Sequence, residues 1–202
     1  MKKRLISAAI IAGVLIGLAV PAVVFAEPRN SINLTGAAGF APDASATGFF
    51  AEYERSVGEK VSLLGRFGST SYSFDDSVYV EDGDGSGVDL GVRLYPQGGM
   101  KGLYFGGSLG FWSTDWTFTD DKGTFYQTTG TGSSDAVRLD LEIGGRFNLG
   151  PGPVSLMPSF HLGNYFSVSD VCTYTSGATG ACDNSAEFNL YAYLGLAVGF
   201  AF

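Results

Sequence analysis

The chain is poor in several residue types that most function classes require. Two cysteines among 202 residues exclude a disulfide-dense scaffold and a cysteine-rich zinc site. Charged residues are scarce at 16%, yet aromatics reach 14%, which excludes a disordered chain. Bases are outnumbered, with 12 Lys and Arg against 20 Asp and Glu and a net charge of −8. A nucleic-acid binder needs a basic face, and this composition does not supply one. There is a single histidine, His161. Past residue 25, no apolar run is long enough to cross a membrane as a helix. The length fits one domain. What the chain has in quantity is glycine, at 30 residues.

The first 26 residues read as a cleavable signal peptide. Lys2, Lys3 and Arg4 are followed by an uncharged stretch from Leu5 to Phe25, with Pro21 near its end and Val24-Phe25-Ala26 before Glu27. A basic start, an apolar run and a small residue at the cut make up that pattern. An uncleaved anchor helix is the alternative. Cleavage removes three bases and no acid, so the mature domain, 27–202, carries −11. No cysteine follows the cut to take a lipid.

The rest of the chain has a period of two. In Ala136–Leu149, Val137, Leu139, Leu141, Ile143, Phe147 and Leu149 share one parity, and Arg138, Asp140, Glu142, Arg146 and Asn148 share the other. Successive side chains of a strand point to opposite faces, so this is a strand with one apolar and one ionic face. The last segment repeats it: Phe188, Leu190, Ala192, Leu194, Leu196, Val198, Phe200 and Phe202 alternate with Glu187, Asn189, Tyr191, Tyr193 and small residues. Val154–Gly163 does the same, although Pro158 removes a ladder hydrogen bond from its middle. Shorter alternations start at Ile32, Phe49, Val61, Val88 and Leu103. The total is eight strands.

The connections alternate in kind. Ser56–Lys60, Pro96–Gly102 and Gly150–Pro153 are short, whereas 75–87, 117–135 and 169–185 are long and polar. Thr128–Ser134 reads as mobile. Long loops at one end and short turns at the other, with both termini on the short-turn side, suit a membrane barrel. The polar face decides the orientation. It carries Glu52, Glu54, Asp89, Asp140, Glu142 and Glu187 with Arg66, Arg93, Arg138, Arg146 and His161, mixed with Gly and Ser. In hydrocarbon the apolar face must point outward and the ladder must close. An eight-stranded barrel has an interior that side chains can fill. The sequence therefore predicts an all-β, eight-stranded antiparallel transmembrane up-and-down β-barrel whose charges pair inside. A soluble lipocalin-like barrel is the competing architecture, with the apolar side chains inside.

On strand number, loop alternation and the C-terminal segment, the mature chain resembles the OmpA/OmpX-type family of small eight-stranded outer-membrane barrels. The resemblance spans 27–202, with no segment left for a periplasmic domain. Leu194, Leu196, Val198, Phe200 and Phe202 are similar to the signal read by the outer-membrane insertion machinery. The family implies an outer-membrane location and contact with membrane lipids and lipopolysaccharide. It implies no catalytic motif, since fold does not decide function.

Six features are candidate sites. The enclosed charges are read as a self-satisfied polar core, with a proton or ion path as the sharper alternative. Asp75, Asp76, Glu81, Asp82, Asp84, Asp120, Asp121, Asp135, Asp170 and Asp183, with Lys122, lie in the long connections; they suit a solvated surface, cation bridging or a partner. Asp82–Gly87 begins like a calcium loop, but its twelfth position is Arg93 rather than the required Glu, so no metal or cofactor is expected. Cys172 and Cys182 are expected to pair as a disulfide in an oxidising compartment. Ser159 and His161 fall on one face of one strand, but a triad also needs a carboxylate in reach. Trp112 and Trp116, with Tyr72, Tyr126 and Tyr174, are read as interface anchors, with a hydrophobic ligand mouth as the sharper alternative. The expected protein is a monomeric, non-enzymatic component of the envelope that meets a surface ligand through its loops. A narrow pore for small, even apolar, solutes is the alternative, and a lipid-A-modifying enzyme using His161 is a third reading.

Overall fold

The structure, a computed structural model, describes residues 30–41, 43–175, 179–180 and 190–202. The segment 1–26, Cys182, Asp183 and Glu187 lie outside the described residues, and with them the expectations placed there.

Eight long strands follow one another: β1 (Asn30–Ala41), β2 (Ala44–Ser56), β3 (Val61–Asp75), β4 (Val80–Leu94), β5 (Gly102–Asp120), β6 (Thr128–Asn148), β7 (Val154–Tyr174) and β9 (Leu190–Ala201). A two-residue β8 (Thr179–Gly180) pairs with the top of β7. Each long strand is antiparallel to the next, and β9 pairs back onto β1 from Ser31↔Ala201 to Ala38↔Leu194. The sheet is thus a closed barrel with no free edge along its membrane-spanning part. Closure leaves the ladder without an open edge, as hydrocarbon requires.

Parity sets which way each side chain faces, and the faces are those the sequence predicts. Leu139, Leu141 and Ile143 are 44%, 59% and 46% exposed, whereas Arg138, Asp140 and Glu142 are 1%, 1% and 7% exposed. Outward Leu, Val, Ile and Phe from all eight strands form a continuous apolar band. A soluble barrel would show the reverse, so the lipocalin-like alternative fails. β7 passes unbroken through Pro158, which faces outward opposite Leu196.

Glycines on the inner face leave room for flat aromatic rings. The ring of Trp112 occupies the space a side chain at Gly87 would need, and that of Tyr104 fills the space at Gly144. The short turns 57–60, 95–101 and 149–153 lie at the end that holds Asn30 and Phe202, whose backbones bond to each other at 3.1 and 2.8 Å.

The opposite end corrects the sequence reading. The segments 75–87 and 117–135 are mostly not loops. β4 begins at Val80, and β5 and β6 extend to Asp120 and from Thr128, leaving connections of 76–79 and 121–127. The supposedly mobile Thr128–Ser134 is paired with β5 throughout and with β7 from Gly130 on. Asp82–Gly87, the calcium-loop look-alike, is regular strand. Above the membrane both faces of the sheet meet polar surroundings, so the apolar–polar alternation that marks a strand disappears while its hydrogen bonds persist. One irregularity, a bulge between Asp135 and Ala136, sits where β6 leaves the apolar band.

Candidate functional site: the enclosed ionic lumen

Ten predicted lumen residues are described, and all ten converge inside the barrel, where nine are at most 7% exposed by residue and His161 is 2% exposed. Arg93 on β4 is the hub. Its Nη1 lies 2.5 Å from Glu52 Oε1 and 3.0 Å from Glu54 Oε2, and its Nη2 lies 2.8 Å from Glu142 Oε1. Arg66 adds pairs to Glu52 at 3.0 Å and to Glu142 at 3.2 Å. Below them Arg146 reaches Glu54 at 2.7 Å. Above them Arg138 reaches Asp89 at 2.5 Å. Buried charge is tolerated only when paired and hydrogen-bonded, and here every carboxylate has a cationic partner.

Aromatic and amide groups complete the network; sequence reasoning did not single out Tyr95, Tyr104 and Asn33, and placed Trp112 elsewhere. Tyr95 donates to Glu54 (2.8 Å), Tyr104 to Glu142 (2.9 Å), Trp112 to Asp89 (2.9 Å) and Asn33 to Glu52 (2.7 Å). The guanidinium carbon of Arg138 sits 4.4 Å from the Trp112 ring centroid, a cation–π contact. Their signal in the sequence was parity: each shares the inward phase of the charges. Trp112 is 3% exposed inside the barrel, and Tyr72, Trp116 and Tyr174 share the inward parity. The reading of these residues as interface anchors is thereby corrected. Tyr126 stands apart at the tip of the β5–β6 hairpin.

Ser159, His161 and Asp140 form a hydrogen-bonded line. Asp140 Oδ2 lies 2.8 Å from His161 Nδ1, and His161 Nε2 lies 3.0 Å from Ser159 Oγ. That is the order of a hydrolytic triad. Its surroundings are tightly packed. Tyr193 stacks on the imidazole at 4.2 Å, and Tyr191 donates to Asp140 at 2.9 Å. The void beside Ser159, ringed by Arg66, Arg93 and Glu142, is about 10 Å³, room for about one water. No acyl chain or sugar fits there.

Above the lumen Glu81 accepts hydrogen bonds from Tyr72 (2.6 Å) and Tyr79. Burial, then the neighbouring carboxylate, raises the pKa of both phenols. Asp76 Oδ1 accepts the backbone N–H groups of Val78 (2.8 Å) and Tyr79 (2.7 Å), which lowers its pKa. Among the described residues, Lys122 is the single base at this end, and Asp75 takes it at 2.7 Å. No cluster of three or more metal-binding side chains occurs among the described residues.

An outward apolar band around an enclosed ionic core defines a membrane-spanning β-barrel, of the small eight-stranded outer-membrane type. Solved structures of that type resemble it. A major outer membrane protein from Thermus thermophilus matches with a TM-score of 0.55 and 16% identity, over 86% of this chain and 99% of that one. Ail, the attachment invasion locus protein of Yersinia pestis, in complex with the heparin analogue sucrose octasulfate, matches with a TM-score of 0.51 and 15% identity, over 87% and 99%. At these identities the likeness is one of fold. No family profile matches the sequence, and no curated protein matches it significantly.

Proposed function

We propose that this protein is a monomeric, non-enzymatic outer-membrane barrel that supports the envelope and meets partners through its exposed hairpins. The observation that carries the reading is the closed lumen. Arg66, Arg93, Glu52 and Glu142 bridge strands that are not neighbours, so the interior is cross-braced rather than open. A braced core favours a structural role over a pore. The void of about 10 Å³ also favours it over catalysis by the Ser159–His161–Asp140 line. Outward Leu194, Leu196, Val198, Phe200 and Phe202, each more than half exposed, offer the apolar strand face that insertion machinery and membrane lipid would meet. Lipopolysaccharide would then surround the upper rim.

The hairpin surface sets the partner class. Asp75, Asp76, Asp82, Asp84, Asp115, Asp120, Asp121 and Asp135 lie at that end. Ail was crystallised with a sulfated heparin analogue, but a surface this acidic repels polyanions and suits a cationic partner. Planar-bilayer recording tests the central claim. The purified barrel should give no steady open current, and a stable, ohmic open level would refute a closed lumen. Extraction should require detergent, and lipid A should be unchanged when His161 is replaced by Ala.

A further inference from the structure

The tip of the β5–β6 hairpin, residues 121–127, exposes two aromatic rings. Phe125 is 97% and Tyr126 is 76% exposed, whereas no other large apolar side chain exceeds 63% among the described residues. The others that come near that value stand in the outward band, where lipid covers them. The two rings meet edge to face at 5.6 Å and 86°, above the membrane, and no described residue covers them. A bare aromatic pair of this kind is an unexpected investment in water, since fully exposed rings gain no burial.

The loop that carries them is ordered. Asp121 and Gly123 take left-handed backbone angles, φ 51° and 75°. Thr124 N–H donates to Asp121 O (3.0 Å), Gly123 N–H to Gln127 Oε1 (2.9 Å) and Tyr126 N–H to Thr124 Oγ1 (3.1 Å). Lys122 ties this tip to the β3–β4 turn twice, through its N–H to Val78 O at 2.9 Å and its Nζ to Asp75 at 2.7 Å. The two hairpin ends therefore form one platform. Val78, half exposed, lies on the same platform, and Asp75, Asp76, Asp120 and Asp121 stand beside the two tips in sequence. An apolar, aromatic centre inside a charged rim is the anatomy of a protein interface hot spot. Preorganisation lowers the entropy lost on docking.

We propose that Phe125 and Tyr126 are the anchor by which this protein docks onto another protein, whose surface offers an apolar pocket rimmed by Lys and Arg. The inference rests on the surface-interaction reading above and deepens it. The charge complement selects this occupant: with Lys122 and Asp75 paired to each other, the charges left beside the rings among the described residues, Asp76, Asp120 and Asp121, are all acidic. A second bilayer is disfavoured, because insertion of the rings would carry Asp120 and Asp121 toward anionic headgroups.

The test uses the barrel in neutral phosphatidylcholine nanodiscs and a labelled amphipathic Lys/Leu helical peptide, with empty discs as blank and fluorescence anisotropy as readout. The Lys/Leu peptide should bind and its Lys→Glu counterpart should not. Phe125→Ser with Tyr126→Ser should weaken binding about tenfold or more while the barrel keeps its heat-modifiable gel mobility. Asp120→Asn with Asp121→Asn should weaken it in a salt-dependent way. If the aromatic variant binds as tightly as the parent while the Asn variant binds less, the anchor is overturned and the acidic-surface reading stands. If neither variant changes binding, or the Lys/Leu peptide does not bind, both fall. Binding of phosphatidylcholine vesicles that depends on Phe125 and Tyr126 would overturn the protein partner in favour of a bilayer.

Discussion

Arg93 and Glu142 meet across the lumen from strands that do not touch, with Arg93 Nη2 2.8 Å from Glu142 Oε1 and 3.0 Å from Glu142 Oε2. The pair acts as a strut between β4 and β6. Arg93→Met leaves Glu52, Glu54 and Glu142 short of their main cation. Removing one partner of a buried pair destabilises by roughly 3–5 kcal/mol, and urea unfolding in detergent micelles should show a loss of that order. The same variant should give brief cation-selective openings in a planar bilayer, because water enters to solvate the freed carboxylates. Unchanged stability would mean that the strut carries no load.

The Ser159–His161–Asp140 line is predicted to be structural. Ser159→Ala removes one hydrogen bond to a ring that keeps Asp140 and Tyr193, so the loss should be about 0.5–1.5 kcal/mol. The parent protein should not react with a fluorophosphonate probe. Covalent labelling that disappears in Ser159→Ala would reverse this conclusion.

Two inner and outer glycines should respond in opposite ways. A Cβ at Gly110 would collide with the Asp89 carboxylate and with Val88 O, displacing the partner of Arg138 and Trp112. Gly110→Ala should therefore destabilise by about 1–3 kcal/mol, as overpacking does. Gly36, on the outer face of β1, has nothing within 4 Å of its added Cβ. Gly36→Ala should be neutral or slightly stabilising, since it narrows the unfolded ensemble. Equal effects at both sites would show that the inner fit is loose.

On the lipid face, Leu141→Arg should destabilise by about 2–4 kcal/mol if Leu141 lies near the bilayer midplane. Leu141 is 59% exposed in the middle of β6. Folding equilibrium in liposomes measures the loss directly. A neutral result would place water, not lipid, outside β6.

The β3–β4 turn should loosen in acid. The N–H groups of Val78 and Tyr79 hold the Asp76 carboxyl below its ordinary value of 3.8. A depressed carboxyl contributes stability that is present above its unfolded value and lost as pH falls through the folded one. Relative to the intrinsic rate at each pH, amide exchange at Val78 and Tyr79 should therefore speed up below about pH 4. Asp76→Ala should show that fast exchange at neutral pH. Protection that does not change with pH would remove Asp76 from the turn.

Period-two parity carried much of this architecture into plain view. Leu139 outward and Arg138 inward follow from neighbouring positions on one strand, and the same rule placed the described charged residues from Glu52 to His161. Parity said nothing about which inward residues touch. Asp140 is 21 positions from His161 and Glu142 is 49 from Arg93, separations that only barrel closure brings together. Strand length was misread where the rule loses its cue. From Asp82 to Gly87 and from Thr128 to Ser134 both faces are polar, so the pattern looks like loop although the ladder is continuous.

The amino-acid order by itself determined the barrel, its orientation against hydrocarbon and the content of its interior, because alternation is a local property that each strand states alone. Tertiary structure decided which carboxylate meets which guanidinium, that the His161 line is walled in by Tyr193 and Tyr191, and that Phe125 and Tyr126 stand free at a braced tip. Those are facts about distance between remote segments, and distance is settled by the register and closure of the whole sheet.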